Sequence, residues 1–482
     1  MLLTLAALLI CSAALAGEDK LTVALGKDEY ITAGPRANLG KYPLNAKIFE
    51  SLTTFDQHFR LLPCLAVSWT QHDRKIWRFV LREGVRFHDG SPLDAAAVRR
   101  SFEQQAQSGT LLFEYESLKD IAANIIEITT PQENRILPYI LSHPYLGITK
   151  IGSKEPVGTG PLQFVRYEKD QLLEVKRYED YWGDQAKNAG IVFRFLPDNA
   201  ARMMAFQAGE ADILADLPWE ALPELQASSG ITLRTSPVGS YVGLMLSGKG
   251  ATAEKRVRQA IALAFDRQAI SKAVWHGLGE TRQTLLAPSF LGSHEALLAD
   301  LPCNPAKAKE LLGGRTISLA LISGFPNANA HGILPEILQA QLQAAGFEVR
   351  LQKINDAGLY HSMMKAGKGD LWLEKGSVNS ADLTFLPHLL FHPEGYYPKQ
   401  LGTAAGTVAF VDHIAKARAA ESDDALRRNT ALALKEIVTE ELLFIPLAEL
   451  PFLLAAQPDV QTPELHPTLL TTRWDQFASV RR

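Results

Sequence analysis

Between Ile76 and Arg82 the chain alternates, with Trp77, Phe79 and Leu81 falling on one face. A period of two predicts a half-buried strand. Val85-Arg86-Phe87 follows Glu83-Gly84, so the two segments read as a β-hairpin joined at a glycine. His88-Asp89-Gly90 then supplies a turn, with His88 expected on the surface. The period changes at once: Ala95, Val98 and Phe102 recur at helical spacing. Ser91 is the expected N-cap of that helix, with Pro92 at its first position and Asp94 three residues after the cap. Adjacent residues on a turn diverge, so His88 and Asp89 are not expected to share a metal.

Further along, Leu21–Leu25 reads as a strand, as does Tyr241–Leu244, which gives way to Gly248-Lys249-Gly250. Trp372 lies within another strand, and a helix is expected over Leu383–Phe391. The first sixteen residues form one apolar run ending in Ala14-Leu15-Ala16, the pattern of a cleaved secretory signal, although no Lys or Arg precedes it. The run is short for a spanning helix, which needs roughly 20 residues. Ile10 before Cys11 fits a lipoprotein cleavage site poorly, so lipid anchoring is not expected.

Composition narrows the class. The chain has 482 residues, 46% hydrophobic and 21% charged, enough for several domains with large cores. Lys+Arg number 49 against Asp+Glu 53, a balance that argues against nucleic acid as a partner. Beyond the leader only Cys64 and Cys303 remain, too few for a disulfide framework; two buried free thiols are expected. Catalytic motifs are missing: there is no GxSxG, no HExxH and no phosphate-binding GxxxxGK[ST]. Acidic residues are scattered. The chain is not expected to be an enzyme and needs no cofactor, though a secreted hydrolase with a dispersed site stays open.

Several segments in order resemble the bacterial extracellular solute-binding proteins of family 5, the peptide-, dipeptide- and nickel-binding components of ATP-driven (ABC) importers. They are Ile48–Leu52, Leu62–Trp69, the Trp77–Phe102 stretch, Gly158-Thr159-Gly160-Pro161, Tyr178–Gly183, Val257–Arg267 and Asn304–Leu312. The resemblance runs from about residue 20 to 455. It implies an α/β two-lobe periplasmic-binding-protein fold of type II, cluster C-like, with a hinge and an extra subdomain in lobe I. Lobe I is expected over 17–244 with the subdomain at about 50–190, lobe II over 245–451, and a return to lobe I over 452–482. The crossings are expected near Met245-Leu246-Ser247 and Glu449-Leu450-Pro451. The resemblance also implies a periplasmic monomer that captures a small ligand by lobe closure. A permease and ATPase complex in the membrane would then receive that ligand.

Candidate ligand residues concentrate in Asp370–Asp382. By the resemblance, an Asp here pairs with a peptide's amino terminus. Asp382 is the first candidate, with N-capping of the next helix as its structural alternative. Glu374 is a second source of charge, Asn379 lies in the same stretch, and Trp372 is either core or a stacking wall. Tyr30 and Arg36 sit in the segment after the first strand, where Arg36 can grip a carboxylate. Tyr241 lies next to the expected hinge. For a nickel chelate as cargo, His388 and His392 lie four apart on one helix face, a spacing that suits a metal; His361 is a further candidate. The arginines expected in nickel binders are missing from 104–118 and 143–150. A short peptide is the first expectation for cargo and a nickel or metal chelate the second.

Overall fold

Two long strands, Thr232–Leu246 and Phe444–Ala456, run antiparallel through the middle of one ten-stranded sheet. The computed structural model describes residues 20–26, 47–109, 111–215, 217–281, 284–286, 288–298, 301–324 and 332–480. On one side of the long pair the sheet continues through Ile213–Ala215, Lys20–Leu25, Gly190–Phe195, Leu172–Arg177 and Leu162–Glu168. On the other it continues through Leu371–Ser377, Ile317–Gly324 and Phe347–Ile354. Lys20–Leu25 pairs in parallel with both of its neighbours and is buried almost throughout, as a strand covered on both faces must be.

The long strands keep the alternation that burial on two faces requires. Val242, Leu244 and Leu246 enter one hydrophobic cluster, while Tyr241 and Met245 enter another. Their pairing breaks register between Thr235 and Val238 and again between Val238 and Ser240, around Pro237 and Gly239. Proline removes a ladder donor there, and a Cβ on Gly239 would meet the Pro467 carbonyl oxygen at 2.6 Å. The α/β class expected from the sequence is the class observed.

A second sheet of four antiparallel strands holds Ala66–Asp73, Ile76–Leu81, Ile125–Thr129 and Ser117–Ala122. Trp77, Phe79 and Leu81 do share its buried face, each such side chain contributing roughly 1.5–3 kcal/mol by burial. The expected hairpin partner is wrong, however. Ile76–Leu81 pairs with Ala66–Asp73 and Ile125–Thr129. Val85–Phe87 instead folds back on Ser91–Leu93, through Phe87 N–H to Ser91 O at 2.8 Å and Leu93 N–H to Val85 O at 2.9 Å. Gly84 and Gly90 allow this, at φ 77° and 80°.

That inner turn also moves the helix start. Ser91–Leu93 stays extended, so the helix Ala95–Gln107 is capped by Asp94, whose Oδ1 accepts from Ala97 N–H at 2.7 Å. Ser91 Oγ donates to Asp89 and accepts from Lys150 instead. His88 is buried, not exposed. Its Nε2 donates to Gly160 O at 2.9 Å, its Nδ1 accepts from Gly158 N–H, and burial lowers its pKa to about 4. Cys64 and Cys303 are free thiols, as expected, but neither is buried: Cys64 is half-buried and Cys303 exposed. Among the described residues no helix is long and apolar enough to cross a membrane.

Candidate functional site

Three separated segments meet at one half-buried carboxylate. Glu50 Oε1 accepts from Tyr181 O–H at 2.7 Å, and Oε2 accepts from Trp182 Nε1–H and Thr159 O–H, each at 2.9 Å. Close backbone approach makes the junction possible. A Cβ on Gly158 would sit 2.0 Å from Ile48 O, and one on Gly160 would sit 2.0 Å from Lys47 O. Only glycine fits at both places. Burial raises the Glu50 pKa, and the three donors hold the rise in check. Arg82 covers the Trp182 ring at 4.2 Å.

A cavity of about 450 Å3 opens beside this junction, a size suited to a small organic molecule. Its wall includes Lys47, Ser142, Trp182, His466, Thr471 and Arg473. Burial, helped by Arg473, lowers the Lys47 pKa to about 8. Arg473 is held by Asp475, with Nε to Oδ1 at 3.0 Å and Nη2 to Oδ2 at 2.7 Å. Burial and the same cations keep the His466 imidazole neutral, with its pKa lowered to about 4. Ser142 belongs both to the cavity and to a seam, because its Oγ accepts from Ala381 N–H at 3.1 Å. The seam continues in His143 against Phe385, ring centroids 5.1 Å apart, and in Phe59 against Phe290 at 3.8 Å.

None of the described ligand or metal candidates singled out from sequence lines that cavity. Three of them are gathered elsewhere, in the half of the sheet that contains Leu371–Ser377. Glu374 is buried and accepts from Tyr360 O–H at 3.0 Å and Tyr397 O–H at 3.4 Å. Burial raises its pKa to about 7, against the pull of those two phenols. Trp372 is 1% exposed and meets Tyr360 edge-on at 5.1 Å. Tyr241, also buried, packs against Phe444 and feels the Glu374 charge.

The remaining candidates lie on the following loop and helix. Asn379 Oδ1 accepts from Thr468 O–H at 3.0 Å. Asp382 is buried, and its Oδ1 accepts from both Thr384 N–H and Thr384 O–H at 2.8 Å. Burial raises its pKa while Arg418 opposes. Thr384, not Asp382, is the N-cap of Phe385–Phe391. His388 and His392 stack at 4.2 Å with an interplanar angle of 24°. Burial and Arg418 lower both pKa values, His388 to about 3. Among the described residues no group of three or more His, Cys, Asp or Glu is placed to hold a metal ion. Tyr30 and Arg36 lie outside the described residues. Lys47, Glu50 and Arg473 were missed; Glu50, Tyr181 and Trp182 did stand in the motif segments, but as marks of the scaffold.

Comparison with known proteins agrees with this architecture. The family described as bacterial extracellular solute-binding proteins, family 5 Middle, matches residues 60–398. The glutathione-binding protein GsiB of Escherichia coli (strain K12) is 28% identical over 480 residues, covering 92% of this chain and 91% of that protein. Among solved structures, NikA from Brucella suis in complex with Fe(III)-EDTA superposes with a TM-score of 0.84 at 20% identity, over 96% of this chain and 100% of the other. The periplasmic binding protein DppA from Helicobacter pylori, in complex with the peptide STSA, superposes with a TM-score of 0.81 at 20% identity, over 97% and 99%.

Proposed function

The chain belongs to family 5 of the bacterial extracellular solute-binding proteins, and from that premise we propose that it is a periplasmic receptor for a small zwitterionic ligand, a short peptide or a peptide-like compound. Proteins of this kind are the solute-binding components of ABC importers. The receptor works as a monomer, performs no chemistry on its cargo, and hands it to a permease driven by an ATPase.

One observation carries the reading. The two parts of the large sheet are joined through Thr232–Leu246 and Phe444–Ala456, whose pairing loosens around Pro237 and Gly239. Two adjacent crossings with an irregular stretch between them are what a hinge requires. We place the hinge there, nearer the start of Thr232–Leu246 than Met245–Ser247, because Ser240–Leu246 already pairs with Leu371–Ser377. The seam at Ser142 and Ala381 then lies between the closing lobes, with the cavity alongside. The peptide class is supported by the glutathione-binding and peptide-bound proteins that the chain resembles.

Calorimetric titration with glutathione, the tetrapeptide STSA and nickel-histidine tests this directly. Saturable binding of a peptide-class compound, recovered unaltered after release, is expected. Turnover of the bound compound contradicts the receptor reading, and binding of nickel-histidine alone contradicts the peptide class.

A further inference from the structure

The cavity beside Glu50 contains a cation, Lys47, that touches no carboxylate among the described residues. Among the described residues Lys47 Nζ makes one contact, with the Thr471 carbonyl oxygen at 3.5 Å, and forms no ion pair. The neighbouring charges are already occupied. Asp475 accepts from Arg473 through both oxygens and from Gln476 Nε2 at 2.8 Å. Glu50 is filled by Tyr181, Trp182 and Thr159. Both carboxylates act on Lys47 from a distance, yet burial and Arg473 outweigh them. The Lys47 backbone adopts a left-handed φ of 57°, unusual for a residue with a side chain. A half-buried ammonium whose pKa is lowered by its surroundings is stabilised by any anion that pairs with it. A second group points the same way: His466 Nδ1 is buried in the cavity wall and has no partner among the described residues.

We propose that this cavity is a carboxylate-binding subsite, in which Lys47 Nζ supplies the charge and the His466 imidazole donates to the second oxygen. The cavity sets one cationic donor, Lys47 Nζ, beside one unpartnered imidazole nitrogen, His466 Nδ1, a pair that matches the two oxygens of a carboxylate. This rests on the receptor reading above, because the subsite would hold the acidic end of a zwitterionic cargo next to the seam at Ser142.

The test uses the full chain and acetate as the probe, followed through the indole N–H resonance of Trp182 in the cavity wall. Acetamide serves as the neutral counterpart and inorganic phosphate as the dianion. Acetate is expected to shift the Trp182 signal saturably, and acetamide is expected to leave it unmoved. Lys47→Met should weaken acetate at least about tenfold, the effect of losing a hydrogen bond to a charged group, while Lys47→Arg keeps most of it. Equal binding of acetate and acetamide overturns the proposal even if Lys47→Met fails to fold. So does the lack of a saturable acetate shift, or a preference for phosphate. The receptor reading is judged separately by the peptide titration. Acetate binding without peptide capture leaves the subsite standing and removes the receptor; peptide capture without acetate binding does the reverse.

Discussion

Glu50 and Glu374 are both carboxylates whose pKa desolvation raises, yet they are held in opposite ways. Glu50 accepts three close hydrogen bonds from segments far apart in the chain. Glu374 has two phenols, one of them at 3.4 Å, and no cation among its perturbing groups. The first carboxylate ties the scaffold together. The second is desolvated and incompletely satisfied, so it titrates near neutrality. The difference separates a residue whose loss breaks the fold from one whose charge answers to its surroundings.

The largest effect should come from Glu50→Leu. It leaves the Trp182 N–H and the Tyr181 and Thr159 hydroxyls without an acceptor, a loss of about 3–5 kcal/mol. Urea unfolding measures it, and a loss below about 1 kcal/mol would erase the distinction between the two carboxylates. Next comes the pH dependence of Glu374. Its pKa rises on folding from 4.5 to about 7, so the folded state binds this proton more tightly. The associated stability is fully present below pH 4.5 and is lost as pH climbs through 7, by on the order of 3 kcal/mol. Glu374→Gln should flatten that part of the stability profile; an unchanged slope would assign it to other groups. The smallest effect belongs to Tyr360→Phe, about 1 kcal/mol. Losing that donor should also move the Glu374 transition to higher pH, and a shift to lower pH would contradict the assigned hydrogen bond.

The same contrast explains what the sequence disclosed. The face of Trp77, Phe79 and Leu81 was legible because a period of two has one physical meaning. Asp94 displaced Ser91 as the cap because a backbone bond from Leu93 to Val85 holds the chain extended, and no local pattern announces that bond. Gly158 and Gly160 were recognisable as a motif, but their purpose is a close approach to Lys47 and Ile48, more than a hundred residues earlier in the chain. The cavity was illegible for the same reason. Lys47, His466 and Arg473 converge only through tertiary packing, and none carries a local signature. Glu374 and Trp372 were chosen for their residue type and strand position, and both proved to be buried in an aromatic layer.

Native mass spectrometry of the freshly purified full chain tests the central claim most directly, because a capturing receptor retains cargo that denaturation then releases. The account predicts a single small organic adduct per monomer, carrying a free carboxylate and identical in mass before and after release. A protein that turns its bound compound into a product of different mass would contradict it.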